Sequence, residues 1–191
     1  MDEVRPAEGA LLAVAILAIV GFLAWYWANR VDRLHRGVEA ARASLAVQLA
    51  TRAGAALDLA QSGLLDPASS LVLGEVARQC LDLGSRALGE ESRGARLSAE
   101  DADCQSELSE AVAMALEPAA DAEPLPAEAL AGLSQAWYRA KLARRFYNEA
   151  VRKAIHLRKH WGVRVFRLAG HTAMPQPFDM NDDWPPGLER M

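Results

Sequence analysis

Two histidines near the end of the last predicted helix, His156 and His160, are four residues apart. This spacing places two imidazoles on one face of a helix, where they can ligate Zn²⁺ while a glutamate between them acts as a general base. Here the intervening residues are Leu-Arg-Lys, and Arg152 adds another positive charge. Because these cations disfavour a divalent ion, the pair does not predict a metal site.

Acidic residues are also grouped, in the middle of the chain. Asp101, Asp103, Glu107 and Glu110 have oxygens that suit a hard cation, but they lack the spacing and the glycine of a Ca²⁺-binding loop. The chain contains no P-loop, GxGxxG or GxSxG sequence. We therefore predict a solvated acidic face, no catalytic residue, no metal and no cofactor, and a protein that is not an enzyme.

Positive charge is concentrated in residues 139–167, which hold ten Lys/Arg and the single acid Glu149, although the whole chain has a formal net charge of −4. Residues 90–123 hold ten Asp/Glu and two Arg. Antiparallel packing of helices from these two segments would pair opposite charges, each exposed pair contributing about 0–1 kcal/mol. An acidic chain with an apolar anchor does not favour a nucleic-acid partner.

An apolar run from Gly9 to Ala28 carries no charged residue, and about 20 such residues span a bilayer. The residues before it are more acidic than basic, and the candidate cleavage sites put an aromatic residue at position −3, so a retained anchor is favoured over a signal peptide. Arg30, Arg33 and Arg36 follow the run. They predict a single-pass protein of the cell membrane with its N-terminus outside and its body in the cytoplasm.

Apolar residues recur at helical spacing through most of the remaining chain. We predict an all-α fold in which the transmembrane helix continues, with a seam like that of a coiled coil, into an antiparallel up-down four-helix bundle.

Gly63 is the predicted stop of the first helix; Asp66-Pro67 and Ser98 with Asp101 are predicted helix starts. The third helix is predicted to end near Glu117, and the fourth to run from about Ala127 to His160. The predicted domains are an extracytoplasmic N-terminus (1–8), a transmembrane helix (9–29), a cytoplasmic helical bundle (30–168) and an extended or disordered tail (169–191).

The helix lengths bring the C-terminal end of the fourth helix back to the membrane surface, at about 1.5 Å per residue. Anionic lipid there attracts each Lys or Arg by roughly 1 kcal/mol. Residues 161–168 mix bulky apolar side chains with arginine, as in segments that lie in the membrane interface. The residues predicted to contact the lipid surface are Arg30, Arg33, Arg36, Arg152, Lys153, Arg158, Lys159, Arg164 and Arg167.

The chain has two cysteines, Cys80 and Cys104, in no CxxC arrangement. This spacing predicts neither a zinc site nor a redox pair. We predict two unpaired thiols in a reducing compartment, in keeping with a cytoplasmic body.

A second predicted feature is a structural polar pair between the first and last helices. Tyr147 lies on the apolar stripe of the last helix, where its hydroxyl needs a hydrogen-bond partner, and Asn148 follows it. Gln48 and Arg52 of the first helix are the predicted partners. A buried polar contact of this kind would fix the register of the two helices, and ligand binding is the alternative.

These four residues lie in two stretches, VQLATR (47–52) and ARRFYNEAV (143–151), that resemble the two motifs of the LemA family of bacterial membrane proteins. The order of anchor, first motif, helical middle and second motif is similar too. The family's Asn-rich run after the first motif is absent here, as is its Tyr-Asn followed by Phe-Pro beyond the second. The resemblance implies an anchored α-helical bundle without established enzymatic activity.

Together these features suggest a scaffold or adaptor that presents its bundle to an unidentified membrane or cytoplasmic protein partner, in contact with membrane lipids. Residues 178–184 of the tail are a candidate docking peptide, and a disordered end is the alternative. The alternative function is a sensor that binds anionic lipid or a small ligand through the basic end of the last helix. The sequence is also compatible with a homo-oligomer of this chain.

Overall fold

A computed structural model describes residues 4–89, 97–121, 125–159 and 174–188 of the chain. These residues form four α-helices and no strand, which confirms the all-α prediction for the described part. The helices are α1 (Val4–Gln61), α2 (Pro67–Gly89), α3 (Ala99–Asp121) and α4 (Ala127–Arg158), and residues 174–188, here called the tail, follow without helix.

The N-terminal part of α1 is apolar and exposed. Its most apolar window has a mean hydropathy of 2.3, and none of that window is buried against the protein. Leu11, Ile16 and Phe22 are among its large exposed side chains. By length and composition, α1 is the one described helix that could cross a membrane, as the sequence predicts.

Local sequence sets the boundary between α1 and α2. Gly63 has a φ of 74°, the left-handed conformation that commonly ends a helix and that glycine adopts without strain. The Asp66 carboxylate accepts hydrogen bonds from the backbone N–H of Ala68 at 3.0 Å and of Ser69 at 3.1 Å. Asp66 is therefore the N-cap of α2, and hydrogen bonding from Ser69 lowers its pKa.

The start of α3 is a capping box. The Ser98 backbone N–H donates to the Asp101 carboxylate at 2.7 Å, and the Asp101 N–H donates to Ser98 Oγ at 3.0 Å. At its other end α3 continues to Asp121, beyond the predicted end near Glu117. The described part of α4 ends at Arg158, and His160 lies outside the described residues.

The described residues belong to two compact units. One lies within residues 1–38 and 150–175, and the other within 39–149 and 176–191. The second unit holds a continuous apolar core to which all four helices contribute. Its buried members are Ala53, Ala56, Leu59 and Ala60 of α1, Leu73, Ala77 and Cys80 of α2, Cys104, Leu108, Ala111, Val112, Ala115 and Leu116 of α3, Leu133 and Trp137 of α4, and Leu188 of the tail.

A disulfide joins Cys80 of α2 to Cys104 of α3, so the prediction of two unpaired thiols is wrong. The Cα atoms are 5.7 Å apart, within the usual range for a bridged pair. Cys80 lies in the C-terminal half of α2 and Cys104 in the N-terminal half of α3, as expected for two consecutive helices that pack in opposite directions. The cysteines are 24 residues apart, and only the packing of α2 against α3 brings them together.

The tail is extended and lies against the second unit from residue 176 onward. Phe178, Met180, Pro185 and Leu188 are buried, and exposed residues separate them. A turn at Gly187, with a φ of 84°, directs Leu188 into the core. Bulky apolar residues two positions apart suit an extended segment with one face on a protein surface.

Candidate functional site

An open cavity of about 720 Å³ lies in the first unit. Its lining residues are Arg30, Arg33, Leu34, Arg152, Lys153, His156 and Leu157. We call it the cationic cavity, because four of these side chains are Arg or Lys and none is acidic. The lining shows that the basic residues of α1 and those of α4 come together here.

Helical spacing explains how the cations come to share one surface. Arg30 and Arg33 are three residues apart on α1, and Arg152 and His156 are four apart on α4, so each pair lies on one helix face. The Arg30 guanidinium also lies 5.7 Å from the centroid of the Trp27 ring, a cation–π contact. Four like charges around a concave surface attract an anion, and guanidinium groups match the oxygens of phosphate.

The other residues predicted to contact lipid have varied surroundings. Arg36 forms an exposed ion pair with Asp32 at 2.8 Å. Arg158 is half-buried at the last residue of α4, and Lys159 is exposed in the turn that follows. Arg164 and Arg167, with the predicted interfacial segment 161–168, lie outside the described residues.

Arg52 lies in the core of the second unit, with only 1% of its surface exposed. Its Nη2 donates to Ser109 Oγ at 2.6 Å and to the Gln105 carbonyl at 3.3 Å, both on α3. Its guanidinium carbon lies 3.7 Å from the centroid of the Trp137 ring on α4. One α1 side chain therefore contacts both α3 and α4.

Burial lowers the pKa of Arg52 to about 9, and the nearby Asp182 carboxylate opposes this shift. The guanidinium is therefore still cationic at neutral pH. Its Nε has no hydrogen-bond partner, and neither do the buried Oε1 atoms of Gln48 and Gln105. The Trp137 ring, the α3 acceptors and the tail carboxylate stabilise a charge that water would otherwise solvate.

The residues of the predicted polar pair make their described contacts in two different places. Arg52 contacts α3 and Trp137, as described, whereas the described hydrogen bonds of Tyr147 and Asn148 reach the tail. The Tyr147 hydroxyl donates to the Gln176 carbonyl at 2.9 Å. Asn148 Nδ2 donates to the Phe178 carbonyl at 2.9 Å, and the Phe178 N–H donates to Asn148 Oδ1 at 2.8 Å. Asn148 thus holds the backbone of one tail residue from both sides, as a neighbouring β-strand would.

Further helix side chains bind the tail backbone beyond Phe178. Ser109 Oγ donates to the Asn181 carbonyl at 2.5 Å, and Ser106 Oγ accepts from the Asn181 N–H at 3.0 Å. Lys141 Nζ donates to the Asp182 carbonyl at 3.2 Å. We call the surface that holds the tail the α3–α4 groove; its hydrogen-bonding residues are Ser106, Ser109, Trp137, Lys141, Arg144, Tyr147 and Asn148.

The acidic partners of Arg144 come from the tail. Its Nη2 lies 2.8 Å from the Asp182 carboxylate, and its Nη1 lies 3.3 Å from that of Asp179. The Asp182 pair is largely shielded, with 18% and 12% of the two side chains exposed, whereas the Asp179 side chain is 97% exposed. Shielding makes the Asp182 pair the more important of the two. The sequence predicted that acidic residues of α3 pair with basic residues of α4. It did not predict the pairing of Arg144 with acids of the tail.

Sequence reasoning did not identify the groove, although the chain contains signals for it. Residues 176–188 hold Phe178, Met180, Trp184 and Leu188, which is more bulky apolar surface than a solvated end needs. Trp137 and Tyr147 on the apolar stripe of α4 each carry a donor that requires a buried acceptor. The pairing of these donors with tail carbonyls depends on tertiary packing.

Within the part of the chain that the structure describes, the cationic cavity and the α3–α4 groove are therefore the candidate functional surfaces. One attracts an anion, and the other already binds an extended peptide. No protein-family model, curated protein or solved structure matches the chain.

Proposed function

We propose that this protein is a membrane-anchored, non-enzymatic helical protein that binds the anionic headgroups of phospholipids in its cationic cavity. The cavity is the single observation that carries the proposal, because it brings basic residues of α1 and α4 around one concave space. Arg30 is the second residue after the apolar run that ends at Ala28. An anchor crossing the bilayer along that run would place the cavity at headgroup depth.

The lining of the cavity favours a lipid headgroup over a free phosphate. Each Lys or Arg near an anionic membrane surface gains roughly 1 kcal/mol, which draws this end of the protein to the lipid. The apolar side chains of Leu34 and Leu157 line the same cavity and suit the glycerol and upper acyl carbons of a lipid. A free phosphate would use the cations but not the leucines.

Native mass spectrometry of the detergent-solubilised full chain tests this proposal. With phosphatidylglycerol and phosphatidylcholine added together, we expect the wild type to retain phosphatidylglycerol. The double variant Arg33→Gln/Arg152→Gln should retain about tenfold less or lower still, since two of the four cations are gone.

The matched control is Arg139→Gln/Arg145→Gln, which removes two exposed arginines of α4 that do not line the cavity. It should retain the anionic lipid as the wild type does. Equal loss in both variants would show a general charge effect and contradict the proposed site. Displacement of the lipid by inorganic phosphate at equal concentration would mean that the ligand is a soluble anion.

The second candidate function is the scaffold or adaptor of the LemA type. The resemblance of residues 47–52 and 143–151 to the LemA motifs supports it, as do the four helices and the shared core of the second unit. The antiparallel up-down order of the bundle is part of this proposal, and the disulfide between the C-terminal half of α2 and the N-terminal half of α3 is consistent with it. Capture of a defined partner from membranes that carry the full chain would favour this function over lipid binding.

The orientation of the anchor is also part of the proposal, and two features favour opposite sides. The arginines that follow the apolar run favour a cytoplasmic body. The disulfide between Cys80 and Cys104 favours an oxidising compartment, where such bonds persist. The α1 residues of the cationic cavity closely follow the apolar run in the sequence, so the cavity would lie close to the membrane in either orientation.

A further inference from the structure

We propose that the α3–α4 groove is a docking site for an extended peptide of a partner protein, and that the chain's own tail occupies it in cis. The peptide would carry two bulky apolar residues two positions apart and an acid two positions after the second, as Phe178, Met180 and Asp182 do in the tail. This inference is independent of the lipid proposal, because the groove lies in the second unit and the cationic cavity in the first.

The groove recognises peptide backbone more than peptide side chains. Carbonyls of Gln176, Phe178, Asn181, Asp182 and Asp183 accept hydrogen bonds from five different helix side chains. Every peptide presents such carbonyls, so this part of the recognition tolerates changes of sequence. The donors belong to α3 and α4 and are positioned by the helices rather than by the tail.

Specificity comes from two further contacts. Phe178 and Met180 are buried, and Met180 Sδ lies 3.8 Å from Arg52 Nη1, so the second apolar residue covers the Arg52 guanidinium. Arg144 contacts the Asp182 carboxylate with both Nε, at 3.1 Å, and Nη2, at 2.8 Å. Both nitrogens donate to the same oxygen, Oδ2, and the positive charge of Arg144 favours a carboxylate over a neutral amide at this position.

The groove would not be stable if left empty. Without the tail, Arg52 would lose the apolar cover of Met180, Trp137 Nε1 would lose the Asp183 carbonyl at 3.2 Å, and Arg144 would lose its acid. Groups of this kind are costly to leave unpaired in a shielded site. An empty groove is therefore a strong acceptor for the next segment of similar chemistry, which a partner can supply.

The test uses the full chain with a weakened tail, Phe178→Ser/Asp182→Lys, and leaves every groove residue unchanged. The probe is a fluorescent synthetic peptide with the sequence of residues 174–191. Fluorescence anisotropy should show saturable binding to this variant, about tenfold or more tighter than to the wild type, whose own tail competes at high effective concentration. A peptide with the same two substitutions should not bind. Failure of the native peptide to bind the weakened chain would overturn the proposal.

A charge exchange separates docking from mere loss of structure. For this experiment the tail is weakened by Phe178→Ser/Asp182→Ser, so that it carries no lysine that could pair in cis with the introduced carboxylate, and adding Arg144→Glu to that chain should abolish binding of the native peptide. Binding should return with a peptide that carries Lys at the positions of Asp179 and Asp182, because the ion pairs are then reversed. Loss without this rescue would contradict the assigned role of Arg144.

The wild-type chain provides a test that does not depend on a variant that folds. If the tail can leave the groove by itself, the amides of Phe178 and Asn181 should exchange with solvent at least tenfold faster than core amides of α3 and α4. Exchange of the tail only together with the helix core would show a fixed part of the fold and overturn the proposal.

The identity of the occupant is tested by peptide display against the weakened chain. Enrichment of sequences with the spaced apolar pair and the following acid is the expected result, and enrichment of no common pattern would contradict the partner chemistry. The remaining alternative is that a second copy of the chain supplies the tail, and sedimentation of the wild type tests it. A dimer that dissociates when the tail is weakened would mean that a second copy supplies the tail, and the partner proposal would then be wrong.

Discussion

At the scale of single residues, Arg52 stands out among the described residues as a cation buried in the core. A buried cation normally costs several kcal/mol unless hydrogen bonds and charges around it compensate. Here Ser109, the Gln105 carbonyl and the Trp137 face provide that compensation, and Asp182 of the tail adds an opposite charge. The planar shape of guanidinium matters, because one face can stack on indole while the edge donates to α3.

Replacing Arg52 by Lys should therefore destabilise the protein although the charge is kept. An ammonium cannot stack on Trp137 and also reach both α3 acceptors, so we expect a loss of about 2 kcal/mol in the free energy of unfolding. Urea denaturation followed by circular dichroism measures it. The control Arg78→Lys changes an exposed arginine paired with Glu75 at 3.3 Å and should cost less than about 0.5 kcal/mol. Equal effects in the two variants would contradict the role of the buried guanidinium.

Asn148 illustrates how one side chain can order a segment without secondary structure of its own. Its amide group both donates to and accepts from Phe178, so the tail residue is held as in a sheet although no strand is present in the described chain. Asn148→Leu keeps the approximate size but removes both the donor and the acceptor, including the oxygen that accepts from the Phe178 N–H. We expect it to increase exchange of the Phe178 amide about tenfold, with the helix core unchanged, in hydrogen-exchange mass spectrometry. Unchanged exchange would show that other contacts alone order the tail.

At the scale of elements, the helix boundaries are set by local chemistry. Gly63, Asp66, Ser98 and Asp101 each satisfy or terminate a helix end through their own backbone or through contacts two or three residues away. Interactions of this range are available as soon as the local chain folds, which is why the sequence predicts them well.

Alanine substitutions at two glycines with similar surroundings should change the stability of the protein in opposite directions. Gly63 and Gly54 both have open space where a Cβ would go, but only Gly63 has a positive φ. Gly63→Ala should destabilise by about 1 kcal/mol, because alanine is strained in the left-handed region. Gly54→Ala, inside α1, should stabilise by about 0.5–1 kcal/mol through its helix propensity. Thermal melts of both variants check the signs, and a change of the same sign in both would contradict the assignment.

The disulfide acts on the pairing of α2 with α3. It closes a loop of 24 residues, so its removal should cost about 3 kcal/mol by the entropy of the unfolded chain. We expect Cys80→Ala/Cys104→Ala and the reduced wild type to lose similar stability against urea relative to the oxidised wild type. A loss in the variant that reduction does not reproduce would point to packing of the sulfur atoms instead of to the cross-link.

At the scale of the whole molecule, the proposed anchor raises the question of which side of the membrane the second unit would occupy. The arginines after the apolar run and the disulfide favour different sides. Alkylation of whole cells with N-ethylmaleimide, followed by reduction and a second alkylating label, reports whether Cys80 and Cys104 are bonded in the cell. If the second unit lies in the cytoplasm, its thiols should be reduced. They should then react with the first label, N-ethylmaleimide, once the cells are lysed under denaturing conditions.

A body in an oxidising compartment predicts that both cysteines take only the second label. In that case the orientation deduced from Arg30, Arg33 and Arg36 would be wrong. An engineered cysteine in the exposed loop at Ser62, labelled by a membrane-impermeant maleimide on intact cells, provides the independent readout. Labelling from outside places the second unit outside, whatever the redox state of the native pair.

The sequence by itself determines the helical character of this protein, the apolar run that could cross a membrane, and the caps at the starts of α2 and α3. These features depend on residues within a few positions of each other, where helix geometry alone decides which groups meet. Only the tertiary structure decides that Cys80 meets Cys104, that Arg52 stacks on Trp137, and that the tail fills the α3–α4 groove. Those contacts join residues from 24 to 128 positions apart, so they arise from packing and no local pattern encodes them.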